Sequence, residues 1–380
     1  MVDIGVSTYG ADGGRSGIGS YLSEILRVWE RQGKTRRLEL LLDPEEVEYW
    51  RGVAPSARLR VQPRGLRRNV PGVLWHLLIL PWIAWRQGYR RLFLCASNRR
   101  SPWWCPCPMA GTVHDLAGLR MPGKYSRWHH FYLSKLLPRL IRRLRVVLTV
   151  SQASARDIEE LVGIPAEQVV VTPLAADLQR FCPGPPGEAR QRLQSDYSLP
   201  AHYMLYLARL EHPGKGHVPL IEAWDSLLDE VEVEQDLVLA GSPWDGYAEI
   251  EAALRRVRHP ERIHLLGFVQ HQHIPDLYRA ADAVVFPSFY EGFGLPVLEA
   301  MGCGRALACS NRASLPEVAG SAALLFDPSK PAEIREALLQ LLQQPELRER
   351  LQVAGLQRAQ CFSWESTADQ TWKALTSEME

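Results

Sequence analysis

Long apolar runs are missing from this chain. The most apolar stretch, Val73 to Trp85, is interrupted by His76 and Pro81. A membrane-spanning helix needs about 20 apolar residues, so no crossing is expected there. The first residues, Met1-Val2-Asp3-Ile4-Gly5-Val6-Ser7, lack the basic region and apolar core of a signal peptide. They read instead as a buried first strand running into a glycine loop. Cysteines are few and unpatterned: there are seven, an odd number, and none stands at zinc spacing. Cys105-Pro106-Cys107 is too tight for a zinc knuckle or a CxxC redox pair. The thiols therefore read as buried or idle, which favours a reducing compartment. The chain also has no Asp-x-Asp pair, no low-complexity tract and no internal repeat, which excludes solenoids and propellers.

What is present is a globular composition of two-domain size. The 380 residues are 46% hydrophobic and 23% charged, enough for two cores. The net charge of +1 conceals a division. Residues 1–180 hold 27 Lys/Arg against 15 Asp/Glu, and the remainder 17 against 28. A basic half points either to an anionic partner or to solvated arginine faces.

Short β-branched runs alternate with longer helical stretches, the rhythm of parallel sheets covered by helices. Strands are predicted at 38–42, 92–95, 146–150 and 169–172, and helices at 19–30 and 127–144. From Phe181 to Gly187 the run Phe-Cys-Pro-Gly-Pro-Pro-Gly reads as a linker without helix or ladder. After it the rhythm restarts, with strands at 203–207, 237–240, 263–265 and 283–286. Two α/β units in succession predict a cleft between them and ligands at the C-terminal ends of strands.

The sharpest segment runs Phe286-Pro-Ser-Phe-Tyr-Glu-Gly-Phe-Gly-Leu-Pro-Val-Leu-Glu-Ala-Met-Gly302. A strand ends near Pro287, a glycine loop follows, and a helix begins with Pro296 in its first turn. Backbone N–H groups near Gly292, Phe293 and Gly294 would then stand at a helix N-terminus, a geometry that attracts phosphate. Glu291 falls in the loop and Glu299 about a turn into the helix. A carboxylate accepts two hydrogen bonds at once, which suits vicinal hydroxyls.

The spacing Glu-x7-Glu within E-G-F-G-L-P-V-L-E-A-M resembles the large family of retaining glycosyltransferases with the GT-B fold, the bacterial glycosyl transferases group 1. The resemblance covers most of the chain and is densest from Leu205 to Pro328. It implies two Rossmann-like domains facing each other across a cleft: an acceptor-side domain at 1–180 with a returning C-terminal helix at 363–380, and a donor-binding domain at 181–362. It implies that Glu299 holds ribose hydroxyls and Glu291 hydroxyls of the donor sugar, with Gly292, Phe293, Gly294 and Leu295 among the donor-binding residues. Leu207-Ala-Arg-Leu-Glu-His-Pro-Gly-Lys-Gly216 resembles the family's Arg-Leu…Lys-Gly loop, one residue longer than usual. Arg209 and Lys215 would then grip the donor diphosphate, where fixed cations stabilise the charge of the leaving group. Gly267-Phe268-Val269 matches the loop beside the nucleobase. Ser314-Leu-Pro-Glu-Val318 matches an element packed behind the site, with Glu317 structural.

In the first half, Gly13-Gly-Arg-Ser-Gly17-Ile-Gly19 resembles the family's first glycine loop, whose Gly17 and Gly19 would face the donor phosphates. Thr112-Val-His114-Asp115 resembles its His-Asp element, which would direct His114 toward the reacting carbon. Ser151 reads as a helix cap. The family's Pro-Asn-Gly-Val-Asp is replaced by Pro173-Leu-Ala-Ala-Asp177.

The implied reaction is retaining transfer of a sugar from a nucleotide diphosphate, with GDP-mannose the favoured donor, to a hydroxyl of a glycan or lipid-linked acceptor in bacterial surface polysaccharide or glycolipid synthesis. No metal or other cofactor is expected, and no covalent nucleophile is named. Two alternatives stand beside it: a non-catalytic nucleotide-binding partner subunit, and a sugar-nucleotide epimerase or hydrolase on the same fold. Residues 64–91 carry Arg64, Arg67, Arg68, Arg86, Arg90 and Arg91 around Trp75, Trp82 and Trp85. That stretch suits an anionic membrane surface, or else a core helix with solvated arginines. No nucleic-acid-binding module is recognised. The expected location is cytoplasmic, with a peripheral place at the membrane's inner face.

Overall fold

The computed structural model describes residues 2–64, 69–121 and 132–377. They form two compact units: Met1–Leu174 with Ser363–Glu380, and Ala175–Phe362.

The first unit is built on seven parallel strands in the order β3-β2-β1-β4-β5-β6-β7. These are β1 Ile4–Ser7, β2 Leu38–Leu42, β3 Arg58–Val61, β4 Arg91–Leu94, β5 Met109–Val113, β6 Val146–Thr149 and β7 Val169–Val171. The central strands are buried throughout, as both faces of a helix-covered parallel sheet must be. The helix Gly17–Arg31 lays Tyr21, Leu22, Ile25, Leu26 and Trp29 against the sheet. Ser16 starts it, its hydroxyl accepting from the Gly19 amide at 3.2 Å. The chain returns to this unit at its end. The helix Trp364–Thr376 packs Trp372 edge-on against Trp29, ring centroids 5.2 Å apart, and the Trp29 indole donates to the Ala368 carbonyl at 2.9 Å.

The second unit has six parallel strands in the order β10-β9-β8-β11-β12-β13: β8 Tyr203–Leu207, β9 Asp236–Ala240, β10 Ile263–Gly267, β11 Ala283–Phe286, β12 Leu307–Ser310 and β13 Leu324–Phe326. Counted within the unit this is the order 3-2-1-4-5-6, whose direction reverses between β8 and β11. Such a switch point leaves a crevice at the strands' C-terminal ends.

Two expectations need correction. The division falls at Leu174–Ala175 rather than after residue 180. The Arg180 carbonyl accepts from Arg279 of the second unit at 2.8 Å, which ties the segment before Phe181 to that unit. Nor is 181–187 all linker. Pro186 and Gly187 open the helix Pro186–Leu193, where proline's missing N–H costs nothing. Of the predicted helix 127–144, residues 127–131 lie outside the described residues; Tyr132–Leu136 and Leu137–Ile141 are helical. Arg67 and Arg68 also lie outside them. No helix among the described residues is long and apolar enough to cross a membrane.

Candidate active site

The second unit's switch point holds a cavity of about 200 Å³. β8 ends at Leu207 and sends Ala208 and Arg209 into it. β11 ends at Phe286 and sends Ser288 and Glu291; Lys215, Gly294 and Pro296 complete the charged and backbone lining. Sequence reasoning therefore brought together four residues that the structure also brings together: Arg209, Lys215, Glu291 and Gly294.

The loops holding them are cross-braced. Lys215 donates to Oε1 of Glu291 at 2.7 Å. The Lys215 carbonyl accepts from the Tyr206 hydroxyl at 2.6 Å, and the Phe289 amide donates to the Gly214 carbonyl at 3.0 Å. Arg209 is fixed from two sides: its guanidinium lies 4.9 Å over the Trp244 ring and 3.4 Å from Oε2 of buried Glu211. Stacking and an ion pair remove rotamers that a free arginine would have to lose on binding.

The glycine loop is held from behind. Ser314 Oγ makes hydrogen bonds of 2.8 Å to the carbonyls of both Glu291 and Phe293. Phe293 is buried against Phe362, so it anchors the loop rather than offering a ring to a ligand. Gly294 caps the helix Leu295–Gly302 at φ 99°. A side chain there would be strained and would stand 2.6 Å from Leu315. That helix points its N-terminal amides and partial positive charge at the cavity. Gly292 and Tyr290 already hold partners of their own.

Glu299 does not line this cavity. It is half-buried beside the Tyr278 hydroxyl. Burial pushes its carboxyl up to about 7, while the charge of Arg180 and the Tyr278 hydroxyl pull the other way. Gly267 adopts φ 70° at the end of β10, Phe268 is exposed and Val269 is buried.

The candidates in the first unit take different places. His114 follows β5 and is buried. Its Nε2 lies 2.8 Å from the Cys95 carbonyl. A carbonyl only accepts, so Nε2 carries the proton, and burial lowers the imidazole's pKa to about 4. Tyr21 packs edge-on against the ring at 4.9 Å. The histidine is thus a neutral, packed group. Gly19 is also a packing residue: a side chain there would meet the Ala11 carbonyl at 2.1 Å. Gly17 faces open space. Ser151 caps the helix Gln152–Val162 through its hydroxyl.

One feature of this unit has no counterpart in the sequence reading. The ends of β1, β2 and β3 enclose a cavity of about 240 Å³, lined by Tyr9, Asp12, Asp43, Glu46, Gln62, Trp75, His76 and Arg99 among others. The aromatic wall and three carboxylates are the groups that hold hydroxyl-rich ligands. The readable signal was positional: each strand is followed at once by a polar residue, Thr8, Asp43 or Gln62.

Residues 190–358 match the model of Glycosyl transferases group 1, and residues 16–180 that of Glycosyltransferase Family 4. The chain is 37% identical over 264 residues to O-antigen chain mannosyltransferase B of Escherichia coli, which covers 69% of this chain and 68% of that one. The chain belongs to the glycosyl transferases group 1 family. This glycosyltransferase is also 32% identical over 340 residues to the serotype-specific mannosyltransferase WbdA of Escherichia coli, spanning 86% of its own length but 41% of WbdA's. Among solved structures, sucrose-phosphate synthase of Thermosynechococcus elongatus superimposes with a TM-score of 0.77 at 20% identity, covering 98% of each chain. The fold is GT-B.

Proposed function

We propose that this glycosyltransferase moves mannose, with retention, from GDP-mannose to a hydroxyl of a glycan or lipid-linked acceptor in bacterial surface polysaccharide synthesis. The observation that carries the reading is the convergence of Arg209, Lys215 and the N-terminus of Leu295–Gly302 on one cavity. Negative charge develops on the departing diphosphate, and preorganised cations and amides stabilise it where it forms. In this proposal the protein's own cations supply that neutralisation, without a metal ion. Glu291, tied to Lys215, is placed for the sugar hydroxyls. The departing phosphate accepts the acceptor's proton on the same face, so no protein nucleophile enters. Glu299, on the helix whose Pro296 and Val297 line the cavity, is assigned the ribose hydroxyls, and Gly267 to Val269 the nucleobase. The mannose assignment rests on the names of the two Escherichia coli relatives.

The test is binding of GDP, UDP, dTDP and ADP to the purified chain, followed by turnover of the matching sugar nucleotide. GDP should bind at least tenfold tighter than the others, and Arg209→Ala and Glu299→Ala should both lose that affinity. Tight binding without turnover of any sugar nucleotide would favour a non-catalytic nucleotide-binding subunit.

A further inference from the structure

The helical stretch that contains Val73 to Trp85 is two-faced. Inward it buries Trp75, Leu80, Ile83 and Ala84 in the core of the first unit. Outward it leaves Leu74, Leu78, Ile79, Trp82 and Trp85 to solvent, with Leu78 65% and Trp85 68% exposed. A π-helical turn at Trp75–Ile79 precedes Pro81. Proline cannot donate to the turn before it, and a widened turn is one response. The outward residues still recur at 74, 78, 82 and 85, the spacing of a single helix face. Isolated exposed apolar residues need no explanation, but a row of five including two tryptophans does.

The charge around this face says what covers it. Between Tyr49 and Arg156 the chain has one acidic residue, Asp115, against 20 Lys and Arg. Arg86 and Arg90 are exposed in and just after the helix, and the Arg86 guanidinium sits 5.7 Å over the Trp82 ring. A second exposed pair, Trp103 and Trp104, occurs in the same unit, and Arg143 lies 4.4 Å over Trp103. Tryptophan with arginine at an apolar face matches the headgroup layer of a bilayer, where the ring is amphipathic and anionic phosphates attract the cation.

We infer that the outward face of this helix docks on the surface of an anionic lipid bilayer. The apolar row enters the headgroup–acyl boundary and the arginines pair with phosphates. The consequence for chemistry follows from the same helix: Trp75 and His76, on its inner side, line the cavity of the first unit. A helix lying in the lipid surface therefore forms one wall of that cavity, which places it to take an acceptor carried on a lipid. The inference stands whether or not the donor assignment does.

The experiment is sedimentation of the full chain with vesicles of phosphatidylcholine alone and of equimolar phosphatidylcholine and phosphatidylglycerol. The wild-type chain should sediment with the anionic vesicles, weakly or not at all with the neutral ones, and less as salt rises. Trp82→Ser/Trp85→Ser should lower partitioning at least tenfold with an unchanged thermal transition, since both side chains are exposed. Arg86→Ser/Arg90→Ser should lower it about threefold and flatten the salt dependence. Failure to bind anionic vesicles, or equal binding by the tryptophan double variant, would overturn the inference. So would gel filtration showing that the double variant converts a dimer to a monomer, which would make the face a contact between two copies. Tryptophan-dependent binding to single-stranded nucleic acid in place of vesicles would overturn it as well.

Discussion

Lys215 and Glu291, 76 residues apart in sequence, meet at 2.7 Å where the loops after β8 and β11 converge. The pair holds the ammonium and the carboxylate in fixed places before a ligand arrives, so neither must be ordered on binding. Removing the cation should damage the step in which charge develops. Lys215→Met is expected to lower kcat on the order of 100-fold, as loss of one preorganised stabiliser does, and to weaken nucleoside diphosphate binding. Glu291→Gln should keep diphosphate affinity within about threefold and raise the KM of the sugar nucleotide, because the carboxylate is assigned to the sugar. The measurement is steady-state kinetics beside calorimetric binding. Equal loss of diphosphate affinity in both variants would place Glu291 on the phosphates instead.

Glu299 gives the protein a pH dependence of definite sign. Its carboxyl titrates near 7 in the folded chain, raised by burial, and near the ordinary value of about 4.3 when unfolded. Between those values the folded state holds the extra proton, so this residue's contribution to stability falls as pH rises from about 4.3 to 7. Glu299→Gln should abolish that part of the slope, and its thermal transition should gain on the wild type between pH 5 and 8. Ligand binding should run the other way. A carboxylate that accepts from ribose must be ionised, so nucleotide affinity should improve from pH 6 to 8 in the wild type and not in Glu299→Gln. A parallel improvement in the variant would remove Glu299 from the nucleotide site.

Much of this was legible before the structure, for reasons that differ by element. β2, β8 and β11 lie at the predicted residues because continuous apolar runs such as Tyr203–Leu207 have no other way to bury both faces. β3, Arg58–Val61, was missed. It is a short edge strand whose arginines and valine stay partly exposed, so it carries no apolar signature. β12 was not marked out as a strand because alanine in Leu307–Ser310 has weak strand preference. At the candidate site, residues that touch ligand chemistry announced themselves by charge and glycine spacing. Those that hold them in place did not. Tyr206, Ser314 and Trp244 act through contacts with residues at least nine positions away, and nothing local in the sequence encodes such a contact. The unit-one cavity was hidden for the same reason: its walls come from five separate stretches between Ser7 and Arg99.

Among the described residues, His114 and His76 in the first unit and, separately, His217 in the second are buried histidines held neutral, with pKa values lowered by burial to about 4, 4 and 3. Each must gain a proton on unfolding once the pH drops below about 6.5. The unfolded state then binds more protons, so stability is lost as pH falls from about 6.5 toward 4. His114→Gln keeps a donor near the Cys95 carbonyl, whereas His114→Ala leaves that acceptor unmet and opens a void, and should cost about 2–4 kcal/mol. In a proton NMR titration the His114 ring resonances should stay fixed from pH 5.5 to 8. A midpoint near 6.5 would show an accessible, titrating imidazole and return it to the list of acid–base groups.

Gly17 and Gly19, two residues apart in the same first turn, separate a possible ligand contact from a packing requirement. At Gly19 an added methyl would lie 2.1 Å from the Ala11 carbonyl and 2.7 Å from Gly14 Cα. Both are backbone atoms of a turn stitched by Ala11 to Thr8 and by Gly14 to Ala11, so the neighbours cannot give way without breaking those bonds. Gly19→Ala should therefore destabilise the chain by about 2–3 kcal/mol, the cost of overpacking, and lower the thermal transition by several degrees. Gly17 is in the first helical turn with nothing within 4 Å of the added methyl. Gly17→Ala should leave stability unchanged or raise it by up to about 1 kcal/mol, through the lower backbone entropy of the unfolded chain. Any loss of turnover in Gly17→Ala then reports a ligand that approaches this loop closely, since folding is undisturbed. Full activity in Gly17→Ala, with a destabilised but active Gly19→Ala, would assign the loop to packing alone.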